Sequence, residues 1–212
     1  MIVPLRKYKV ALAGNPNTGK STVFNTLTGL KQHTGNWPGK TVARAEGFFS
    51  FNEHNFKLID LPGTYSLLSN SPEEEIARNF VLFSNPDVNI IVVDATSLER
   101  NLNLVLQILE ISRKSVICLN LVDEAKRKGI HIDSKALSVE LGVPVVETIA
   151  IRKKGINELM SEVDKVATSQ PKKPIKLKLE GNLKKIVEQF KKIILKKYPN
   201  MVSVEWVALR LL

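Results

Sequence analysis

A glycine-rich segment near the amino terminus has the residue types of a phosphate-binding loop. It reads Gly14-Asn-Pro-Asn-Thr-Gly-Lys-Ser21, which matches the P-loop pattern G-x-x-x-x-G-K-S. Glycines let the backbone approach phosphate oxygens closely, and successive backbone N–H groups at the start of a helix bind the anion. The segment therefore predicts a nucleoside triphosphate site, with an ordinary glycine-rich turn as the alternative.

Side-chain chemistry assigns roles within this loop. The Lys20 ammonium is predicted to contact the β- and γ-phosphates, and the Ser21 hydroxyl is predicted to coordinate Mg²⁺. The predicted phosphate-binding residues are Asn15, Pro16, Asn17, Thr18, Gly19, Lys20, Ser21 and Thr22, together with Gly63 from a later loop.

A second motif, Asn120-Leu-Val-Asp123, closes an apolar run and indicates the base. An aspartate can accept hydrogen bonds from both N1–H and the 2-amino group of guanine, whereas adenine presents an acceptor at N1. Because such a mismatch can cost on the order of 10⁴ in selectivity, the motif predicts GTP as the nucleotide. A backbone N–H within residues 148–150 is predicted to meet the guanine oxygen. The predicted guanine-binding residues are Asn120, Asp123, Ile149 and Ala150.

A third motif, Asp60-Leu-Pro-Gly63, follows the apolar run 56–59. Its aspartate can hold Mg²⁺ through water, and Gly63 can offer its N–H to the γ-phosphate, so the loop would sense that phosphate. A simple turn is the alternative. Thr41, about twenty residues after the P-loop lysine, is the predicted second hydroxyl ligand. The predicted magnesium ligands are Ser21, Thr41 and Asp60.

Two segments, called switch I and switch II, are predicted to be ordered by the γ-phosphate and to relax after its cleavage. Switch I is predicted to contain Gly35, Asn36, Trp37, Pro38, Gly39, Lys40 and Thr41. Switch II is predicted to contain Asp60, Leu61, Pro62, Gly63, Thr64 and Tyr65.

The elements that must position these loops follow from the hydrophobic pattern. Short β-branched runs alternate with helix-periodic segments between residues 9 and 166, and the runs at 89–93 and 115–119 are almost continuously apolar. Such runs are typical of parallel strands covered on both faces. The alternation predicts an α/β fold with a doubly wound, mostly parallel sheet. A hairpin over 42–51 and 55–59 would add one antiparallel edge strand, giving six strands in all.

Composition limits the class of protein. The chain has 212 residues, 43% of them hydrophobic, a formal charge of +10 and one cysteine, Cys118. No apolar run approaches the roughly 20 residues of a spanning helix, so we expect a soluble protein of a reducing cytoplasm. Residues 170–212 hold 11 Lys+Arg and 3 Asp+Glu, a net charge of +8.

The basic tail favours a solvated helix face over a nucleic-acid site. Its lysines come in pairs at 184–185, 191–192 and 196–197, beside apolar residues at helical spacing. No aromatic side chains alternate with them as stacking platforms would. Binding to nucleic acid is therefore not expected, although an RNA-binding assembly GTPase that uses this tail stays the alternative. The polar segment around Pro171 and Pro174 predicts a linker at 169–174, between a first domain at 1–168 and a helical segment at 175–212.

Three stretches together resemble the cytosolic G-protein portion of the ferrous iron transport protein B (FeoB) family. They are the P-loop with its following threonine, the segment His33-Thr-Gly-Asn-Trp-Pro-Gly-Lys-Thr-Val42, and Asp60-Leu-Pro-Gly-Thr-Tyr-Ser-Leu67. The resemblance covers residues 7 to about 167 and implies a Ras-like P-loop GTPase fold. The tail resembles the start of that family's helical domain, which slows nucleotide release, so the chain is expected to be truncated within that domain.

The resemblance implies a mechanism and a setting. Thr64 stands where Ras-like proteins have a water-orienting glutamine, so hydrolysis is expected to be slow and to depend on other groups. Asn17 matches a position at which related GTPases bind K⁺, with turn geometry as the alternative role. The expected catalytic residues are Asn17, Lys20 and Thr41. Leu121 replaces the usual lysine of its motif, so we expect weaker binding and faster GDP release.

The expected partner is a membrane permease domain of the same full-length protein, at the cytoplasmic face of the inner membrane, and a homo-oligomer is compatible with the sequence. The resemblance names ferrous iron as cargo, but the chain itself suggests no iron site. Glu73-Glu-Glu75 is explained by a capping box that begins at Ser71. The three histidines are scattered, and Cys118 is expected to be an inert core thiol. Trp37 is interpreted either as a partner anchor or as a cover over the nucleotide.

Overall fold

A mostly parallel sheet organises the chain. The computed structural model describes residues 7–29, 32–68, 71–169, 181–199, 201 and 204–212. The strands in this part of the chain are β1 (Lys7–Gly14), β2 (Gln32–Asn36), β3 (Ala43–Phe51), β4 (His54–Asp60), β5 (Val88–Asp94), β6 (Ser115–Asn120) and β7 (Val145–Glu147). Their order across the sheet is β2-β3-β4-β1-β5-β6-β7. Five strands, β4-β1-β5-β6-β7, run parallel, while β3 is antiparallel to both of its neighbours.

Helices cover both faces of the sheet. They are α1 (Lys20–Thr28), α2 (Pro72–Phe83), α3 (Leu98–Ile111), α4 (Val122–Arg127), α5 (Ser134–Leu141), α6 (Ile156–Thr168), α7 (Gly181–Lys197) and α8 (Val204–Arg210), with short 3₁₀ turns at Ala95–Ser97 and Ala150–Arg152. Alternate side chains of β5 show the division: Ile90 packs with α1 and α6, whereas Ile91 packs with α2 and α3. Burial on both faces explains the unbroken apolar runs in the sequence.

The sheet has one strand more than the sequence analysis expected. The predicted α/β class and the β3–β4 hairpin are confirmed, but β2 pairs antiparallel with β3 from Gln32↔Gly47 to Asn36↔Ala43. The sheet is therefore seven-stranded: the antiparallel strand β3 lies one place in from the edge, and the edge strand β2 runs in the same direction as β4. Residues 33–36 are exposed, so this edge strand lacks the hydrophobic alternation by which strands are recognised.

The acidic run at 73–75 forms the first turn of α2, as expected. The Ser71 hydroxyl accepts a hydrogen bond from the Glu74 backbone N–H at 3.2 Å, and a proline opens the helix. Glu73, Glu74 and Glu75 lie in the first turn, where the helix dipole favours negative charge. The capping interpretation is confirmed.

Helices α7 and α8 pack against each other, and α8 also packs against the core beside the sheet. Val187 and Ile194 of α7 pack with Ala208 of α8. Trp206 of α8 is buried in the core on the α3 side of the sheet, and Arg210 forms an ion pair with Glu110 at 3.5 Å. The predicted linker lies outside the described residues except for position 169, so that boundary stays a prediction. No helix in the described ranges is long and apolar enough to cross a membrane.

Cys118 lies in the middle of β6 and is fully buried. Burial raises the pKa of its thiol to about 12, although a contact with the Thr148 hydroxyl at 3.2 Å opposes the rise. The unfolded value is about 8.5. The folded state therefore favours the protonated thiol, and this contribution to stability is present below about pH 8.5 and lost as the pH rises towards 12.

We therefore expect Cys118 to be protected in the folded chain. At pH 8 a disulfide reagent such as DTNB should leave the native protein unlabelled, and it should release one thiol equivalent per chain in guanidinium chloride. Labelling of the native protein at the rate of the unfolded chain would contradict this prediction.

Candidate nucleotide site

The P-loop joins the carboxyl end of β1 to the first turn of α1. Gly14 ends the strand, and a Cβ at this position would lie 2.7 Å from the Val92 carbonyl oxygen of β5, so only glycine fits without a shift. Asn17 and Gly19 have φ values of 66° and 81°, in the left-handed region that glycine and asparagine tolerate best. The loop therefore has the turn conformation that its sequence pattern predicts.

Lys20 and Asp60 meet at the centre of the site. Asp60 is the last residue of β4 and pairs in register with Leu12 of β1, so the end of its strand lies beside the P-loop. The Lys20 ammonium forms an ion pair with the Asp60 carboxylate, and only 11% of the lysine side chain is exposed. Burial raises the pKa of Asp60, and the charge and hydrogen bond of Lys20 oppose that rise. The structure thus brings together the predicted phosphate ligand and a predicted magnesium ligand.

The beginning of switch II lies directly against the P-loop. The Leu61 N–H donates to the Leu12 carbonyl at 3.0 Å, and the Thr64 N–H donates to the Gly14 carbonyl at 3.3 Å. A Cβ on Gly63 would lie 3.3 Å from the backbone nitrogen of Pro16. The predicted γ-phosphate donor is therefore held at the phosphate loop by its neighbours.

Asn120 joins three loops at the base-binding side. Its Nδ2 donates to the Thr18 carbonyl at 3.1 Å, which connects β6 to the P-loop. Its Oδ1 accepts from the Ala150 N–H at 3.1 Å and from the Thr148 hydroxyl at 3.2 Å. In this structure the Ala150 N–H therefore donates to Asn120. A contact between the Ala150 N–H and a guanine oxygen stays a prediction.

Asp123 lies in the first turn of α4, at the same edge of the sheet. Its side chain is 22% exposed, and the Arg152 guanidinium is 3.8 Å from it. A cavity of about 230 Å³ adjoins the carboxylate and is lined by Val122, Asp123, Lys126, Glu147, Thr148, Ile149 and Lys154. Leu121, immediately before the helix, has a φ of 62°. Asp123 is thus accessible enough to meet a ligand.

Switch I is packed against α2 in this structure. The buried Trp37 ring meets Phe80 edge to face at 5.7 Å, and the Arg44 guanidinium lies over the ring, 4.8 Å from its centre. Lys40 pairs with Glu75 at 2.8 Å, and Lys40 lowers the pKa of that carboxyl through its hydrogen bond and its charge. The tryptophan thus belongs to the core beside α2, which neither of its two proposed roles anticipated.

Two predicted ligands lie outside this cluster of contacts. The Thr41 side chain is exposed and forms no hydrogen bond within the described residues. Asn17 is also exposed, and nothing in the described part of the chain binds its amide. Their predicted roles toward magnesium and potassium stay predictions.

Sequence reasoning missed three residues of α3 that hold the end of switch II and the two residues after it. Gln107, Asn103 and Arg100 contact the segment from Tyr65 to Leu67. The one available signal was a single polar residue, Gln107, inside the apolar run at 104–109. Buried polar side chains are usually hydrogen-bonded, so such a residue indicates a partner without identifying it.

The fold and the site together define a P-loop GTPase. The P-loop motif follows β1, the Asp60 motif begins at the end of the neighbouring β4, and the N-x-x-D motif begins at the end of β6. All three lie at the carboxyl edge of a mostly parallel sheet, where ligands of such folds bind.

Comparison with known proteins narrows the class to one family. The family model described as "Ferrous iron transport protein B" matches residues 8–163, so the chain belongs to that family, as its motifs suggested. It is 44% identical over 170 residues to the Fe(2+) transporter FeoB of Shigella flexneri, covering 78% of this chain and 22% of that protein. The chain thus spans about a fifth of the length of the curated relatives it matches.

Solved structures of the family have the same fold. The cytosolic domain of the T. maritima FeoB iron transporter in GDP form I superposes with a TM-score of 0.88 at 38% identity, covering 98% of this chain and 81% of that one. The GMPPNP form of the same domain gives a TM-score of 0.84 at 38% identity, covering 96% and 80%. The predicted α/β GTPase fold is confirmed.

Proposed function

We propose that this chain binds GTP with Mg²⁺ and hydrolyses it slowly, as the nucleotide-dependent switch of a ferrous iron transporter. The observation that carries the proposal is the convergence of the Lys20–Asp60 pair and the Asn120 bridge at one edge of the sheet. Related cytosolic domains crystallised in GDP and GMPPNP forms support guanine nucleotide binding. In this proposal residues 1–168 form the G domain, and the helical segment follows a linker at 169–174.

The donor set fits magnesium. Ser21, Asp60 and Thr41 offer hydroxyl and carboxylate oxygens, which are the ligands this hard cation prefers. In this structure the Asp60 carboxylate is paired with Lys20, so Mg²⁺ would bind Asp60 once that ammonium has moved to the phosphates. When bound, Mg²⁺ would offset the negative charge of the β- and γ-phosphates.

The chain's own groups would position the phosphates. Lys20 would exchange Asp60 for β- and γ-phosphate oxygens, and the Gly63 N–H would donate to the γ-phosphate. Thr64 is buried and its N–H is bound to Gly14, so its short side chain does not replace a water-orienting glutamine. Catalysis is therefore assigned to charge stabilisation by Lys20, Thr41 and Asn17, and slow turnover follows.

Asn17 is the proposed ligand of a stimulating K⁺ ion. The P-loop turns through this residue, its side chain is exposed, and an amide oxygen is a suitable donor for a monovalent cation. The same left-handed φ of 66° supports the alternative that asparagine serves the turn. Alanine would remove the amide and also strain the turn. Glycine removes the amide but accepts this φ, so Asn17→Gly separates the role in K⁺ binding from the role in the turn.

We expect KCl to raise the turnover of GTP at least about tenfold over NaCl in the wild type. Asn17→Gly and Asn17→Ala should both lose this stimulation, while Asn17→Asp, which keeps an oxygen donor, should retain part of it. Phosphate release at saturating GTP and Mg²⁺ measures the rates. Stimulation that persists in Asn17→Gly would leave the asparagine with a role in the turn alone.

The transport role is proposed from the family. The curated relatives are named Fe(2+) transporters, and most of their length lies outside the match to this chain. We propose that γ-phosphate-dependent movement of switch I and switch II regulates iron uptake through a membrane domain of the same protein, at the cytoplasmic face of the membrane. Uptake of Fe²⁺ by the full-length protein, with the G domain active or inactivated, tests this connection.

A further inference from the structure

Helix α3 holds Tyr65, the last residue of switch II, and the two residues that follow it through two amide side chains. The Gln107 Oε1 accepts the Leu67 N–H at 2.6 Å and the Ser66 hydroxyl at 3.2 Å. The Asn103 Nδ2 donates to the Tyr65 carbonyl at 3.3 Å. Three consecutive residues of the loop are therefore tied to one helix.

The two amides also bind each other. The Gln107 Nε2 donates to the Asn103 Oδ1 at 3.1 Å, and only 7% of Gln107 is exposed. One turn earlier, the Arg100 guanidinium lies 4.3 Å from the centre of the Tyr65 ring. Because both ends of the Gln107 amide are bound, its acceptor has a fixed direction towards Leu67.

The same face of α3 continues to α8. Positions 100, 103, 107 and 110 are spaced by three and four residues, which places them on one side of a helix. The last of them, Glu110, pairs with Arg210 of α8 at 3.5 Å. Arg210 also lies 5.3 Å from the ring of the buried Trp206. One face of α3 therefore contacts the switch II region near the start of the helix, and contacts α8 near the end of the helix.

We propose that Gln107 is a positioning residue for GTP hydrolysis, and that this face of α3 couples switch II to α8. The inference rests on the proposed GTPase function. The Thr64 N–H binds the Gly14 carbonyl of the P-loop on one side, and Leu67 is held by Gln107 on the other. Gln107 thus sets the position of the loop that meets the γ-phosphate without touching the nucleotide.

Loss of the Gln107 acceptor should slow the chemical step and spare nucleotide binding. Gln107→Leu keeps the volume of the side chain but leaves the buried Leu67 N–H without its acceptor. We expect kcat to fall about tenfold, with the Kd for a fluorescent GDP analogue changed less than about twofold. Gln107→Glu keeps the acceptor for Leu67 but loses the donor to Asn103, so its kcat should fall less than that of Gln107→Leu. Gln189→Leu, the matched change on the exposed face of α7, should have no effect on either quantity.

Asn103→Ala gives an independent variant, because this residue is exposed and its loss leaves no cavity in the core. It should lower kcat about threefold with unchanged GDP affinity, since Gln107 still holds Leu67. If Gln107→Leu does not fold, this variant and Gln107→Glu decide the question. Wild-type kcat in both Gln107→Leu and Asn103→Ala would overturn the positioning role.

A double-mutant cycle tests the coupling to α8. Arg210→Gln removes the ion pair with Glu110 and should change kcat about twofold in the wild type. In the Gln107→Leu background the same change should have no further effect. Independent, multiplying effects would overturn the coupling. Absence of any GTP turnover in the wild type would instead reject the proposed function, so the two failures are distinguishable.

Discussion

Replacing Asp123 with asparagine should lower the affinity of the chain for GTP by about 10⁴-fold, and it should create affinity for xanthosine triphosphate. In the proposed complex the Asp123 carboxylate accepts from both N1–H and the 2-amino group of guanine. An amide offers one acceptor and one donor, so its NH₂ would face the 2-amino group and leave buried polar groups unpaired. Xanthine has a carbonyl oxygen at that position, which accepts from the same NH₂. Asp123→Asn should therefore change the specificity of the site from guanine to xanthine.

Competition binding with a fluorescent guanine nucleotide measures this exchange. Asp133→Asn is the matched control, because Asp133 caps α5 with its side chain and asparagine caps equally well. That variant should bind GTP like the wild type. Asp123→Asn that keeps its preference for GTP, or that loses GTP without gaining the xanthine nucleotide, would show that this carboxylate does not contact the base.

Replacing Lys20 with alanine should abolish most of the turnover of GTP. The ammonium is the cation nearest to Asp60 in the site, and in the proposed complex it balances charge that develops on the β- and γ-phosphates. Removing one such preorganised donor typically costs about 10²–10³ in kcat. We expect a loss at the upper end of that range, together with weaker GTP binding, because lysine contributes to both.

Lys165→Ala supplies the comparison for this change. Lys165 forms an exposed ion pair with Glu162 on α6, at 2.7 Å, and pairs of this type contribute little to stability. Its removal should leave kcat within about twofold of the wild type. In the full-length protein, Lys20→Ala should also reduce uptake of Fe²⁺. Equal turnover in Lys20→Ala and Lys165→Ala would contradict the role of the P-loop lysine.

Much of the fold was predictable because its central strands carry a strong local signal. β5 and β6 are buried on both faces, which requires the continuous apolar runs seen at 89–93 and 115–119. The strand β2 gave no such signal, since four of its five residues are exposed and it pairs only along one edge. The pairing of β2 consists of backbone hydrogen bonds to β3, and the residue types of β2 do not predict those bonds.

The site divides in the same way between local and long-range information. The P-loop, the Asp60 loop and the Asn120 motif are each contiguous, so their chemistry was evident from residue order. The bridge from Asn120 to Thr18 spans 102 positions of the chain, and the bond from Gln107 to Leu67 spans 40. Such contacts arise only when the sheet brings distant loops together. The packing of Trp37 on α2 is of this kind, and the sequence alone left its role open.

Calorimetric titration of the wild-type chain with GDP, GTP, ADP and ATP in the presence of Mg²⁺ tests the guanine nucleotide site most directly. We predict one site per chain for GDP and GTP, and binding of the adenine nucleotides weaker by at least about 10³-fold. Equal affinity for ADP and GDP would contradict the assignment of Asp123 to the base. Absence of heat with all four nucleotides would contradict the site itself.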